Sequence, residues 1–442
     1  MTATRSDYRR AWQLAWPIIL SNSSIPLVGA VDTAVMGHLP DPAFIGAVAL
    51  GAGLFSILYW GFGFLRMGTT GFVAQALGSD DGAEARAALH RALLIACVLA
   101  AGLWILQWPI ATVAFAFIEG SEQVEALTRT YFDWRIWSAP AVLANYAILG
   151  TLIGLQRTGF VLIIQLVLNG TNVALDLLFV PVLGMGVEGV ALASVIAEYS
   201  AVAVGLLMVR QRLRTLPGIE RTVHLREPGA LRALFAVNGN IFVRTLCLVA
   251  SLFYFTVVGT RLGETVVAAN AILLQLQYFL AYGLDGFAHA AEGLAGSAWG
   301  ARRADRFRAA IQSTTVCALV VALGYSLVYA VFGTVFIGWM TDIETVRSMA
   351  ADYLPWMILA PLVSIWSFQL DGIFIGTTRT VEMRNGMLIA TIGYLAAVAL
   401  LVPLWHNHGL WLALMLFLGL RALTLALWLP RLHRQLAEVP VR

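Results

Sequence analysis

Twelve apolar runs, each long enough to cross a lipid bilayer, divide the chain and restrict its fold more than any single motif. A spanning helix needs about 20 predominantly apolar residues. The runs lie near 11–37, 44–77, 88–118, 130–155, 159–181, 187–211, 230–259, 264–298, 308–340, 346–376, 381–402 and 409–430. Backbone polar groups inside lipid must bond within their own segment, so such runs read as α-helices. A membrane barrel would show alternating segments of about 10 residues instead. Several runs exceed the minimum span, as tilted helices projecting beyond the lipid do.

Composition closes off the alternatives. The 442 residues are 60% hydrophobic and 12% charged, with a mean hydropathy of +0.80. Soluble domains run at roughly 45–50% apolar and about 25% charged. Too little polar residue remains to cover a water-facing surface, which excludes a soluble enzyme or a nucleic-acid binder. Cys97, Cys247 and Cys317 all sit in apolar runs. They read as small packing residues, without a disulfide framework or metal spacing. The first run is too long for a cleavable signal peptide and lacks a cleavage pattern. No Walker loop, HExxH or GxSxG is present. The expectation is a protein that is not an enzyme, has no cofactor and draws its energy from an ion gradient.

Every basic residue is arginine, and arginine placement sets orientation. With the N-terminus inside, 21 arginines fall on the cytoplasmic side; Arg129, Arg135, Arg261 and Arg347 fall outside. Three remain within the helices. The expected protein is therefore multi-pass in the cell inner membrane, with both termini cytoplasmic. A polar stretch, 211–228, separates two sets of six helices. The expected organisation is an N-lobe over 1–210, a cytoplasmic linker over 211–228 and a C-lobe over 229–442.

The two halves resemble each other at one ungapped offset of 222 residues. Gly71/Gly293, Ala76/Ala298, Gly78/Gly300, Arg86/Arg308, Gly150/Gly372, Ile153/Ile375, Gly154/Gly376, Arg157/Arg379 and Thr158/Thr380 all match. Six spans per copy gives both halves the same orientation. Parallel repeats suit alternating access, in which two lobes rock about a shared cleft.

Ionisable residues at membrane depth are costly and mark function by default. Asp32 lies deep in the first run, with Pro17 and Pro26 before it. A carboxyl there can exchange a proton, and the prolines remove backbone bonds and let the helix bend. Asn169, Asn172 and Asp176 share one face of the fifth helix by their i, i+3, i+7 spacing. Ser194 on the sixth helix completes an oxygen-rich set, with Glu198 one turn further on. Such oxygens can hold a proton or a small hard cation. In the second half, Asp285 and Glu292 share a face of the eighth helix, and Asp371 lies on the tenth. Arg66 and Arg244 are candidate partners for these acids, in a substrate role or as interhelical ion pairs. His289 titrates near neutrality when free.

At these residues the chain resembles the multidrug and toxic compound extrusion (MATE) family, in its DinF-like branch. The resemblance is carried by VDTAVMGHL, FLRMGTTGFVAQALG, NVALDLLFV with GVEGVALAS, LDGFAHAAEGLAGSAWGAR and LDGIFIGTTRTVEMRNGM, and it covers nearly the whole length. It implies an all-α membrane protein of twelve transmembrane helices, in two six-helix repeat lobes around a central cleft. It further implies antiport of organic compounds against H+ or Na+. Asp32 matches the family's helix 1 cation-site aspartate, with Pro17 the bending proline. Asn172 and Asp176 match the helix 5 pair, and Ser194 stands where many members have Thr. Asp371 falls near one of the C-lobe acids that another branch uses, but no helix 7 glutamate accompanies it.

The function expected is a secondary active exporter of lipophilic, cationic small molecules, monomeric and surrounded by membrane lipid. Asp32, Asn172, Asp176 and Ser194 would carry the coupling cation. H+ is favoured over Na+ at Asp32, Asn172 and Asp176. The alternatives are a lipid-linked sugar or lipid flippase of the same superfamily and, further off, a membrane-embedded enzyme.

Overall fold

The computed structural model describes residues 3–37, 41–116, 121–218 and 228–437. Among the described residues there is no strand, and eleven helices are long and apolar enough to cross a membrane. The last of these, α15 (Thr380–Ala437), is two helices joined across His406, whose φ of 47° and ψ of −127° are not helical. Breaking it there yields the twelve spans read from the sequence. Residues 38–40 and 219–227, in the first outer loop and the expected linker, lie outside the described residues.

Several spans are interrupted, most of them at or next to a proline or glycine. The first is α1 (Arg5–Ser23) and α2 (Ile25–Met36). The break falls at Ser24, and Pro26 enters α2 in its first turn, where a missing N–H costs nothing. Pro17 lies inside α1. The second span is α3 (Ala43–Trp60) and α4 (Phe64–Gly78), parted at Gly61 and Gly63. The third is α5 (Gly82–Ile105) with α6 (Gln107–Phe115). The fourth combines α7 (Glu122–Arg135), a 3₁₀ turn over Ile136–Ser138 and α8 (Ala139–Gly154). The fifth, α9 (Thr158–Leu177), ends in a π-helical turn, Leu178–Val182, containing Pro181. Then follow α10 (Val187–Leu213), α11 (Pro228–Arg261), α12 (Glu264–Gly300), α13 (Ala304–Met340) and α14 (Glu344–Gly376) before α15.

One sequence placement changes. Ser121 caps α7, accepting the Val124 N–H at 3.3 Å. The polar stretch that follows is therefore the first turns of a helix, not a loop. Arg135 consequently sits in the middle of the 33-residue span Glu122–Gly154, away from the outer loop where the arginine tally put it.

The chain forms two compact units, Leu20–Leu234 and Met1–Ile19 with Phe235–Arg442. The division falls within the first span. In the second unit, the first half of α1 lies against α12, where a Cβ on Gly286 would meet the Ala15 carbonyl at 2.8 Å. Trp12 packs on Phe287, with ring centroids 5.6 Å apart. The first unit's core stacks Phe55 on Phe132 at 5.3 Å and holds Tyr131 fully buried. The second centres on Trp411, 4.9 Å from Phe255.

The 222-residue offset governs backbone geometry in both units. A Cβ on Gly150 of α8 would stand 2.4 Å from the Arg66 carbonyl of α4, and one on Gly372 of α14 would stand 2.3 Å from the Ala288 carbonyl of α12. Gly154 and Gly376 repeat the match against Thr70 and Glu292. In each unit a glycine pair lets two backbones approach more closely than any side chain permits, as small residues do between membrane helices. The turns are copied as well. Left-handed residues recur at Asp80 (φ 55°) and Arg302 (φ 54°), and at Gln156 (φ 58°) and Thr378 (φ 54°).

Candidate functional site

In the first unit, the candidate site residues converge from α2, α9 and α10. Asp32 on α2 and Asp176 on α9 bring their carboxyls within hydrogen-bonding reach of each other. Asp176 is fully buried, and neither of its oxygens meets a donor; the same is true of Asp32 Oδ1 and Asn172 Oδ1. Two ionised carboxylates repel each other at this range, and a proton or a small cation between them would relieve that repulsion. One turn before Asp176, Asn172 donates to Ser194 Oγ of α10 at 3.3 Å. Asn169 donates to Ser24 Oγ at 2.7 Å, tying α9 to the break in the first span, and accepts from Gln165 at 2.9 Å. The polar face of α9 thus touches both the break and the acid beyond it. Among the described residues no group of three His, Cys, Asp or Glu could hold a metal ion. Any cation here would rest on two carboxylates and an amide oxygen.

Glu198 does not join that set directly. It pairs with Arg135 of α7 at 3.6 Å. Arg135 also donates to Ser138 Oγ in the 3₁₀ turn, and Ser138 Oγ meets the Tyr59 hydroxyl at 2.9 Å. The guanidinium lies 5.9 Å from the ring centroids of Phe55 and Tyr59, and its field reaches Asp32. Arg66 interacts electrostatically with Tyr146.

In the second unit the acids engage arginines. Asp371 Oδ2 accepts from Arg244 of α11 and, at 2.8 Å, from Arg421 of α15. Asp285 acts on Arg421 electrostatically, and Glu292 stands 3.6 Å from His289 Nδ1. Arg244, one of the two candidate partners for the second-half acids, thus meets Asp371, which carries a second arginine as well.

Arg135, Arg421, Ser24 and Gln165 are the site neighbours that the sequence reading missed. Gln165 was detectable, since it extends the α9 stripe one turn toward the N-terminus. Arg421 carried the same signal as Arg66 and Arg244, an arginine inside an apolar run, whereas Ser24 carries none of its own before the packing is known.

Two duplicated six-helix halves, with an Asp32–Asp176 carboxyl pair in one and an arginine-bound Asp371 in the other, define a polytopic helical membrane protein of the transporter type. The MatE family model matches the chain twice, over residues 17–178 and 241–403, once in each half. The chain belongs to the MatE family. It is similar to DNA damage-inducible protein F of Escherichia coli, 42% identical over 96% of this chain and 92% of that protein. It is also similar to a probable multidrug resistance protein NorM of Mesorhizobium japonicum, 25% identical over 97% of this chain and 94% of that one. A crystal structure of a MATE protein in complex with MaL6 superposes with a TM-score of 0.87 over 98% of both chains, at 17% identity. That last agreement is one of fold.

Proposed function

We propose that this chain is a secondary active exporter of lipophilic organic compounds, driven by inward H+ movement through Asp32 and Asp176. The observation that carries the reading is the facing pair of carboxyls with no donor on either oxygen of Asp176. Two ionised carboxylates about 4 Å apart repel by about 4 kcal/mol at an effective dielectric of 20. One proton replaces that repulsion with a hydrogen bond. Conformational states of a transporter differ by a few kcal/mol, so one proton is enough to choose between them. Loading draws α2 toward α9, release parts them, and the break at Ser24 is where the first span yields.

Substrates of cationic character fit an acidic pocket that releases them when it takes up positive charge. A flippase for phosphate-bearing lipids would need uncommitted arginines in the membrane. Arg244 and Arg421 both bond Asp371, and Arg135 serves Glu198. Expression in a host stripped of its own drug pumps tests the reading. The chain should lower accumulation of lipophilic cationic dyes several-fold, and collapse of the pH gradient should abolish the effect. Unchanged accumulation in both conditions would contradict export.

A further inference from the structure

The Arg135–Glu198 pair is a second set of buried charges in the first unit, and the coupling reaction as written leaves it without a task. Its 3.6 Å separation, with both side chains 13% exposed, is too long for a charge-assisted hydrogen bond, which closes to about 2.7–2.9 Å. Arg91 and Glu84 reach 2.7 Å in the same unit. Arg135 is instead seated by Ser138 and Tyr131 and by the faces of Phe55 and Tyr59. Its charge is fixed at the 3₁₀ turn in the fourth span, and the acids are disposed around it. Glu198 faces it from α10, Asp32 lies in its field from α2, and Asp176 adjoins Asp32 from α9. Arg66 of α4 acts on Tyr146 of α8, a ring that Glu198 also acts on.

We propose that Arg135 is a shared counter-ion, its one positive charge divided between Glu198 and Asp32, and hence a positioning residue for the Asp32 carboxyl. The functional part rests on the reading of Asp32 as a coupling acid; the charge sharing does not. A buried charge left without a partner is strongly destabilising. A cation held between two acids tolerates neutralisation of either one, but not of both. When Asp32 carries a proton, Arg135 leans on Glu198. When Asp32 is ionised, Arg135 steadies it, so the state of the acid on α2 is transmitted to α7 and α10.

The test is a thermal-unfolding cycle on the full chain in detergent, with Glu198→Gln, Asp32→Asn and the double variant. Each single substitution should lower the midpoint by a few degrees at most. The double variant should fall at least about 5 °C beyond their sum, because it strands Arg135. Adding Arg135→Gln to the double variant should recover most of that loss. Additive midpoints, or no recovery, overturn the shared counter-ion whatever the coupling ion proves to be. Transport supplies the second readout. The neutral pair Arg135→Gln with Glu198→Gln should fold normally yet export at least tenfold more slowly; export at the wild-type rate would show that Glu198 is the sole partner of Arg135 and overturn the positioning role. Non-additive midpoints together with normal export by Asp32→Asn would uphold the charge sharing and overturn the coupling role of Asp32 instead.

Discussion

Asp32 and Asp176 come from different spans, yet both were legible in the sequence for one reason. A lone carboxylate in an apolar run costs several kcal/mol to bury, so it is kept where it is used. Their proximity was not legible, because spacing along α9 gives a face but not the helix it meets. Arg135 was missed because it lies near the start of the run read at 130–155 and was counted with the outer arginines; the cap at Ser121 carries that helix back to Glu122 and leaves Arg135 well inside the span. These residues also differ in what replacement should do. Asp32→Asn keeps size and hydrogen-bonding capacity but cannot exchange a proton, so gradient-driven export should vanish while expression stays near normal. Wild-type efflux from vesicles of that variant would remove Asp32 from the mechanism. Ser194→Ala loses only the 3.3 Å bond from Asn172. A neutral hydrogen bond is worth about 0.5–1.5 kcal/mol, so export should slow about two- to tenfold and persist.

At the scale of helices, the existence of twelve spans was readable from hydropathy, while their interruptions were not. A 20-residue window averages over a one-residue break such as Ser24 or Leu106. The glycine pairs were visible as identities at a common offset, but their reason lies in packing. Gly150 and Gly372 each leave no room for a Cβ against a carbonyl of the facing helix. Gly150→Ala and Gly372→Ala should each destabilise by about 1–3 kcal/mol through forced separation of backbones. Gly53→Ala, with nothing within 4 Å of its Cβ, should be neutral or slightly stabilising. Detergent thermal shifts check all three, and equal effects at Gly53 and Gly150 would refute the close-approach argument. Outside the spans, Asp41 accepts the Ala43 N–H at 2.8 Å and a bond from Gln123 at 2.6 Å, and these bonds hold its carboxyl below the usual range. The depressed value means that this clip is intact above the ordinary carboxylate pKa and is lost as acid protonates it.

Across the whole molecule, the duplication preserved backbone and not charge. At the shared offset Arg66 corresponds to Ala288, Asp285 to Gly63, His289 to Met67, Glu292 to Thr70 and Asp371 to Leu149 in sequence. The close approaches and left-handed turns match, whereas none of these intramembrane ionisable groups does. The two halves thus share a scaffold and divide the chemistry, one carrying the Asp32–Asp176 pair and the other Asp371 bound by two arginines. Arginine placement predicts a membrane orientation that labelling can check. A cysteine introduced at Thr215 should be protected from impermeant reagents in intact cells, and one at Pro40 should react; the reverse pattern would invert the topology. The coupling ion is the central claim, and it has opposite signatures in the two cases. Proton coupling needs a carboxyl that loads and releases H+. Sodium coupling needs both carboxylates ionised, so acid suppresses it by competition. The decisive measurement is substrate efflux from vesicles containing the purified chain, driven by an inward pH gradient in sodium-free buffer. The account predicts full export that added Na+ does not change. Export that stays at background until Na+ is supplied, at every pH tried, would contradict it.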